Sequence, residues 1–317
     1  MKIEDVKVIS YLNPDPLDEF CDLESDDLVC LPGFLNEEDE EEGLPPRYSD
    51  YNINIYRDIE AKIEDHFKIA LQELWPLLEK CQFRSINISI DYFGFLAGNS
   101  YGASYIYGRS NQISGVYNFN LHCGLFYTLI NKLINDAPLD EFDKCIWQHE
   151  LIHLLDQQNI LSASLYKNSS SKNENLKYYF TKYREEGIAE LFYLLKGNKA
   201  IENIEIAKKL FLDEILTISK NGTHDQISTE KERNELYNGQ SFYKIGPWLI
   251  LDLLKTCIFG DYLDIVYEAL DRLERGEEIV IETILEIIRY ALMIDVSSFL
   301  DYIDKEYCSK NQLIIII

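Results

Sequence analysis

The sequence of 317 residues predicts an α+β protein, a small antiparallel sheet followed by a mainly helical C-terminal half. Three observations carry this expectation. Residues 85–124 alternate side chains with period two and are rich in Ile, Tyr, Phe and Val, the pattern of half-buried strands. Apolar residues on either side of that stretch recur every three to four positions, the spacing of helices that bury one face. The order is an acidic segment, one helix, a run of strands and then helices to the end, with no internal repeat, and such segregation is what an α+β arrangement produces. Three regions follow: an acidic N-terminal segment over 1–50, a sheet-bearing part over 51–160, and a helical part over 161–317.

Taken in order, residues 1–50 hold 16 acids against 3 basic residues, with the peak at "NEEDEEEG" (36–43). Like charges repel, so this segment is expected as a solvated arm, or as a cover over a cleft with Cys21 or Cys30 near it. Prolines at 14, 16, 32, 45 and 46 resist regular structure there. A helix is expected over 56–81, where Ile59, Ile63, Phe67, Leu71 and Leu74 share a face, with Pro76 kinking or ending it and His66 at the surface. Three strands of a meander are expected in 85–98, 101–108 and 113–124, punctuated by Gly and Asn. A short helix over 125–135 leads to a loop with Asp140 as N-cap, and a helix over 141–158 follows. After a polar linker (162–175), a long helix runs from about 174 to 196 and stops at Gly197. Further helices are expected at 200–219, 228–237, 243–258, 261–274, 279–293 and 296–306, and the closing "LIIII" (313–317) reads as a last strand or packed tail.

The formal net charge of −25 excludes several partners. Phosphate backbones and anionic membrane surfaces would be repelled, so neither nucleic acid nor membrane is expected. Seven cysteines, an odd number with no CxxC pair, point to a reducing compartment rather than a disulfide framework. With acids and prolines near the N-terminus where a signal peptide needs apolar residues, and no run long enough to span a bilayer, a cytoplasmic location is expected.

The chemistry concentrates in "WQHELIHLLDQQN" (147–159). His149 and His153 are four apart, so on a helix both imidazoles face the same way and can share one metal ion. Glu150 follows about 100° round the helix, placed to reach a water on that ion rather than the ion itself. A hydrolytic zinc needs a third protein ligand and an open position, where bound water is acidified to about pKa 7. "KYREEGIAELFYLLKG" (182–197) offers Glu186 and Glu190 one turn apart: one can complete the zinc set, the other can hold a ligand histidine through its second N–H. Glu185 competes as the ligand but has Ala189 one turn on. Gly187 removes a side chain where two helices must come close. Asp156 is a further candidate, as an HExxHxxD ligand; His122 is expected on a cleft wall and His224 in a loop.

These residues resemble the gluzincin metallopeptidases, the thermolysin-like and aminopeptidase-N-like group with HExxH on one helix and a glutamate on the next. "EEGIAEL" is similar to the Glu-Gly-x-Ala segment of the aminopeptidases. The resemblance implies Glu186 as third ligand, Glu190 as the acid supporting a ligand histidine, and Tyr243 in "FYKIGPWLILDLL" (242–254) as the hydroxyl that stabilises the oxyanion. It implies a zincin-like fold in which "GVYNFNLH" is an edge strand that aligns the substrate by strand addition. The chain departs from the aminopeptidases in having no acid in that strand to capture an amino terminus. Its spacing between His153 and Glu186 is more similar to the long insert of clostridial neurotoxin light chains.

The functional expectation is a zinc-dependent peptidase acting within peptide or protein substrates. It would bind one Zn2+ per chain through His149, His153 and Glu186, with Glu150 as general base. The alternative is a silent scaffold of this kind, or an acidic mimic that works by protein–protein interaction.

Overall fold

The computed structural model describes residues 3, 6–13, 53–79, 85–91, 103–106, 116–122, 132–133, 135–156, 172–220, 241–256 and 263–311. Strands β1 (Lys7–Asn13), β2 (Ser85–Asp91), β3 (Ala103–Ile106) and β4 (Val116–His122) pair in the order β1-β2-β4-β3. Lys7 stands opposite Ser85, and Ser85 opposite Val116, with both pairings parallel; only β3 runs antiparallel, with Ala103 opposite Leu121.

This corrects the expected fold class. The described residues are mainly helical rather than α+β with an antiparallel sheet, and the strands they contain are not a meander. The alternation over 85–124 marked three segments as extended, but alternation carries no information on partner or direction. A parallel pair needs a long crossover, which helix α1 (Ile53–Leu78) lies within for β1 and β2. The strand expected at the edge, β4, is interior, flanked by β2 on one side and β3 on the other, so its backbone is already paired on both sides. Strand β1 falls in the segment read as an acidic arm; the rest of that segment, from 14 on, lies outside the described residues.

The chain divides into two compact units, Met1–Glu150 and Leu151–Ile317. In the first, α1 buries Ile63, Phe67, Ala70, Leu71, Leu74 and Leu78, the expected stripe continued by one turn. Pro76 sits inside the last turn and α1 ends at Leu78, as a proline near a helix end allows. His66 is half-buried rather than at the surface, and burial lowers its imidazole pKa. Lys62 of α1 donates to the Leu133 carbonyl at 2.7 Å and pairs with Asp136.

The second unit is built on α3 (Lys172–Leu195), preceded in the chain by the end of α2 (Glu141–Leu155). Phe180, Tyr183, Ile188, Ala189, Leu191, Phe192, Leu194 and Leu195 are buried, so α3 is apolar around most of its circumference, the pattern of a core helix. It ends at Gly197, whose φ of +93° needs a glycine. Helix α4 (Ile204–Lys220) lays Phe211 edge-on against Tyr183 and Phe180. Helix α5 (Ser241–Thr256) meets α3 at two glycines: a Cβ on Gly187 would lie 2.6 Å from the Gly246 carbonyl carbon, and one on Gly246 would lie 2.7 Å from the Tyr183 oxygen. The expectation that Gly187 permits a close helix approach is met, with Gly246 as its counterpart.

Helices α6 (Leu263–Arg275), α7 (Ile281–Ala291) and α8 (Val296–Ile303) complete this unit. The helix expected over 296–306 changes to a π-helical turn at Asp304–Ser309, which sets the Tyr302 and Tyr307 hydroxyls 3.2 Å apart. Tyr302 donates to the buried Asp252 at 2.6 Å. The expected helix at 228–237, His224 and the tail at 313–317 lie outside the described residues, as does most of the expected helix at 125–135.

Candidate metal centre

Helix α2 starts where a reciprocal cap places it. Asp143 N–H donates to Asp140 Oδ1 at 3.0 Å, and Asp140 N–H donates to Asp143 Oδ2 at 3.2 Å. This satisfies orphan donors at both positions, and carboxylates there complement the helix dipole. Asp140 is therefore the N-cap, as expected. Lys132 donates to both carboxylates, which raises the pKa of its own ammonium group. Burial opposes ionisation of Asp140, but the hydrogen bonds from Asp143 and Lys132 outweigh it and hold the carboxyl below its ordinary range. Further along α2, Trp147 packs edge-on against Phe67 with ring centroids 5.2 Å apart, and Gln148 donates to Glu73 at 2.6 Å. Ile146, Leu151 and Ile152 are buried. The helix is thus fixed in rotation, and its half-buried side carries His149 and His153.

Glu186 comes to His153 from α3. His153 Nε2 lies 3.2 Å from Glu186 Oε2. The other carboxylate oxygen of Glu186 faces Lys182, whose Nζ is 3.7 Å from Oε1. One ligand atom each from His149, His153 and Glu186 lies within 4.8 Å of the others. Three atoms so spaced fit about 2.8 Å or less from a common point, and ligand atoms on a tetrahedral zinc at about 2.1 Å stand about 3.4 Å apart. Two imidazoles and one carboxylate, the carboxylate offering a single oxygen, form a set that suits zinc with one position left open. Among the described residues this is the group that converges in this way.

The other sequence-predicted residues are placed as follows. Glu150 is buried at 5% exposure, next to His149 on α2. Glu190 is one turn beyond Glu186 and also buried. Tyr243 is 42% exposed and stands one turn before Gly246 on α5. Glu185 is turned inward: Lys182 Nζ is 2.7 Å from its Oε2, its Oε1 has no hydrogen-bond partner, and burial pushes its carboxyl pKa up despite Lys182. It does not join the three converging groups.

Asp156 is not available as a ligand. Arg184 Nη1 donates to its Oδ2 at 2.7 Å and Nη2 to its Oδ1 at 3.2 Å, and both residues are buried. Arg184 was not singled out in the sequence, although a signal exists. It stands four residues after Phe180 and four before Ile188, in the apolar stripe of α3, where an arginine requires a buried acceptor. His122 ends β4 opposite Asp91 in register.

No protein-family model, curated protein or solved structure matches this chain.

Proposed function

We propose that this protein is a zinc-dependent peptidase that hydrolyses bonds within peptide or protein substrates, with one Zn2+ per chain held by His149, His153 and Glu186. The observation that carries this reading is the convergence of those three side chains from two helices, with a buried carboxylate, Glu150, beside the first histidine. When bound, the ion supplies Lewis acidity, which lowers the pKa of water and polarises the scissile carbonyl. Glu150 takes the proton from the attacking water and delivers it to the leaving amine nitrogen as the carbon–nitrogen bond breaks. Tyr243, at a partly exposed position, donates its hydroxyl to the developing oxyanion. Glu190 steadies a ligand imidazole. Among the described residues no helix is long and apolar enough to cross a membrane.

The test is elemental analysis of purified protein together with Glu150→Gln assayed on unstructured protein substrates. The expected result is about one zinc in both proteins, with hydrolysis reduced roughly 10²–10⁴-fold in the variant. Wild-type protein that takes up no zinc, or a variant as active as wild type, would reject the reading.

A further inference from the structure

We infer that Arg184 and Asp156 are positioning residues for the metal centre, locking the end of the histidine helix to the glutamate helix so that His153 and Glu186 are held at ligand spacing. The inference rests on the zinc reading above.

Asp156 is the residue after α2, and its N–H still donates to the Ile152 carbonyl at 3.0 Å, so it moves with the helix that carries His153 three residues earlier. Arg184 is two residues before Glu186, about 200° away around α3, so it anchors α3 from the side opposite the ligand. Its guanidinium makes the two-pronged pair with Asp156 and also donates from Nε at 2.8 Å and from Nη2 at 2.6 Å to the Ile294 carbonyl. Ile294 precedes Asp295, the N-cap of α8, whose carboxyl is held low chiefly by the Ser298 backbone N–H, with a smaller contribution from Arg184. One side chain with no solvent exposure therefore ties together α2, α3 and the turn between α7 and α8.

The geometry makes this more than general packing. Guanidinium and carboxylate meet in one planar orientation, whereas apolar groups slide. Any slip between α2 and α3 at this joint passes through a single helical turn to the 3.2 Å separation of His153 Nε2 and Glu186 Oε2. Zinc–ligand distances in well-formed sites stay within about 0.2 Å of their usual values, so the spacing of the two ligands matters.

A buried ion pair is poor evidence of stability, because two well-packed apolar residues in its place are often neutral or stabilising. That permits a test that separates positioning from folding. The double variant Asp156→Leu/Arg184→Met is compared with wild type for the melting temperature of the metal-free protein, zinc affinity by chelator competition, and the visible spectrum of the Co2+ form. Expected are a metal-free melting temperature close to wild type, zinc affinity lower by roughly tenfold or more, and an altered cobalt spectrum. A folded double variant with wild-type zinc affinity and cobalt spectrum overturns the inference and leaves the zinc reading standing. Wild-type protein that binds neither metal overturns both. If the double variant does not fold, Arg184→Lys is measured in the same way. It keeps a cation beside Asp156 but loses the fork and the paired bonds to Ile294, and wild-type metal affinity there also overturns the inference.

Discussion

Glu185 and Glu186 are adjacent in sequence and differ in what surrounds them. Glu186 presents one oxygen to His153 and the other to Lys182, while Glu185 faces inward, where burial raises its carboxyl pKa against the pull of Lys182. Glu186→Gln is expected to reduce zinc content well below one per chain, since a neutral amide is a poor ligand, whereas Glu185→Gln should retain it; elemental analysis of both variants checks this. That Glu186 rather than Glu185 comes to His153 agrees with the expectation drawn from their i+4 neighbours, Glu190 against Ala189. The fate of Asp156 was not: its partner Arg184 is 28 residues away, and nothing local in either segment announces the pair. His66 was misjudged because charged neighbours on both sides masked a half-buried position.

Among elements, the crossing of α3 and α5 is set by Gly187 and Gly246. Gly246→Ala would force a methyl group against the Tyr183 carbonyl, which is backbone and cannot swing away. Destabilisation of about 1–3 kcal/mol or more is expected, measured by denaturant unfolding, because overpacked interiors must shift helices to make room. The close approach was legible in Gly187, but its counterpart was not, since a glycine within an apolar run has no pattern that names its neighbour. Helix α8 gives a pH-dependent case. Asp295 caps it by accepting from Ser298 N–H at 2.6 Å, and that bond depresses its carboxyl pKa. A depressed acid contributes stability that is present above its unfolded pKa and lost as pH falls through its folded one. Asp295→Ala should cost about 1 kcal/mol near neutral pH, and the difference from wild type should vanish in acid; thermal melts across pH measure it.

At the scale of the whole chain, a ligand that binds only the folded state raises stability by mass action. Added zinc should raise the melting temperature with each increment above its dissociation constant, reaching about 4 kcal/mol at a thousandfold excess, and a chelator should reverse the gain. Calorimetry at several free-zinc levels reads this directly, and an unmoved transition would count against the metal centre. The described helices from 172 onward were legible because their apolar periods are long, and the stop of the first was marked by Gly197, which has a positive φ. The sheet was not, because strand direction and partner depend on chain crossovers that no local alternation encodes; β1 was hidden by the charge of the segment that contains it. The glycine pair has a consequence for any survey of mutational tolerance. If every position were replaced in turn and variants scored for the proposed activity, Gly187 and Gly246 would be as intolerant as His149 or Glu186, though neither has a side chain to offer a metal. A list ranked by lost activity would therefore merge scaffold with chemistry. Scoring the same library for cellular abundance would separate them: the glycine variants should be depleted, while Glu150→Gln accumulates like wild type.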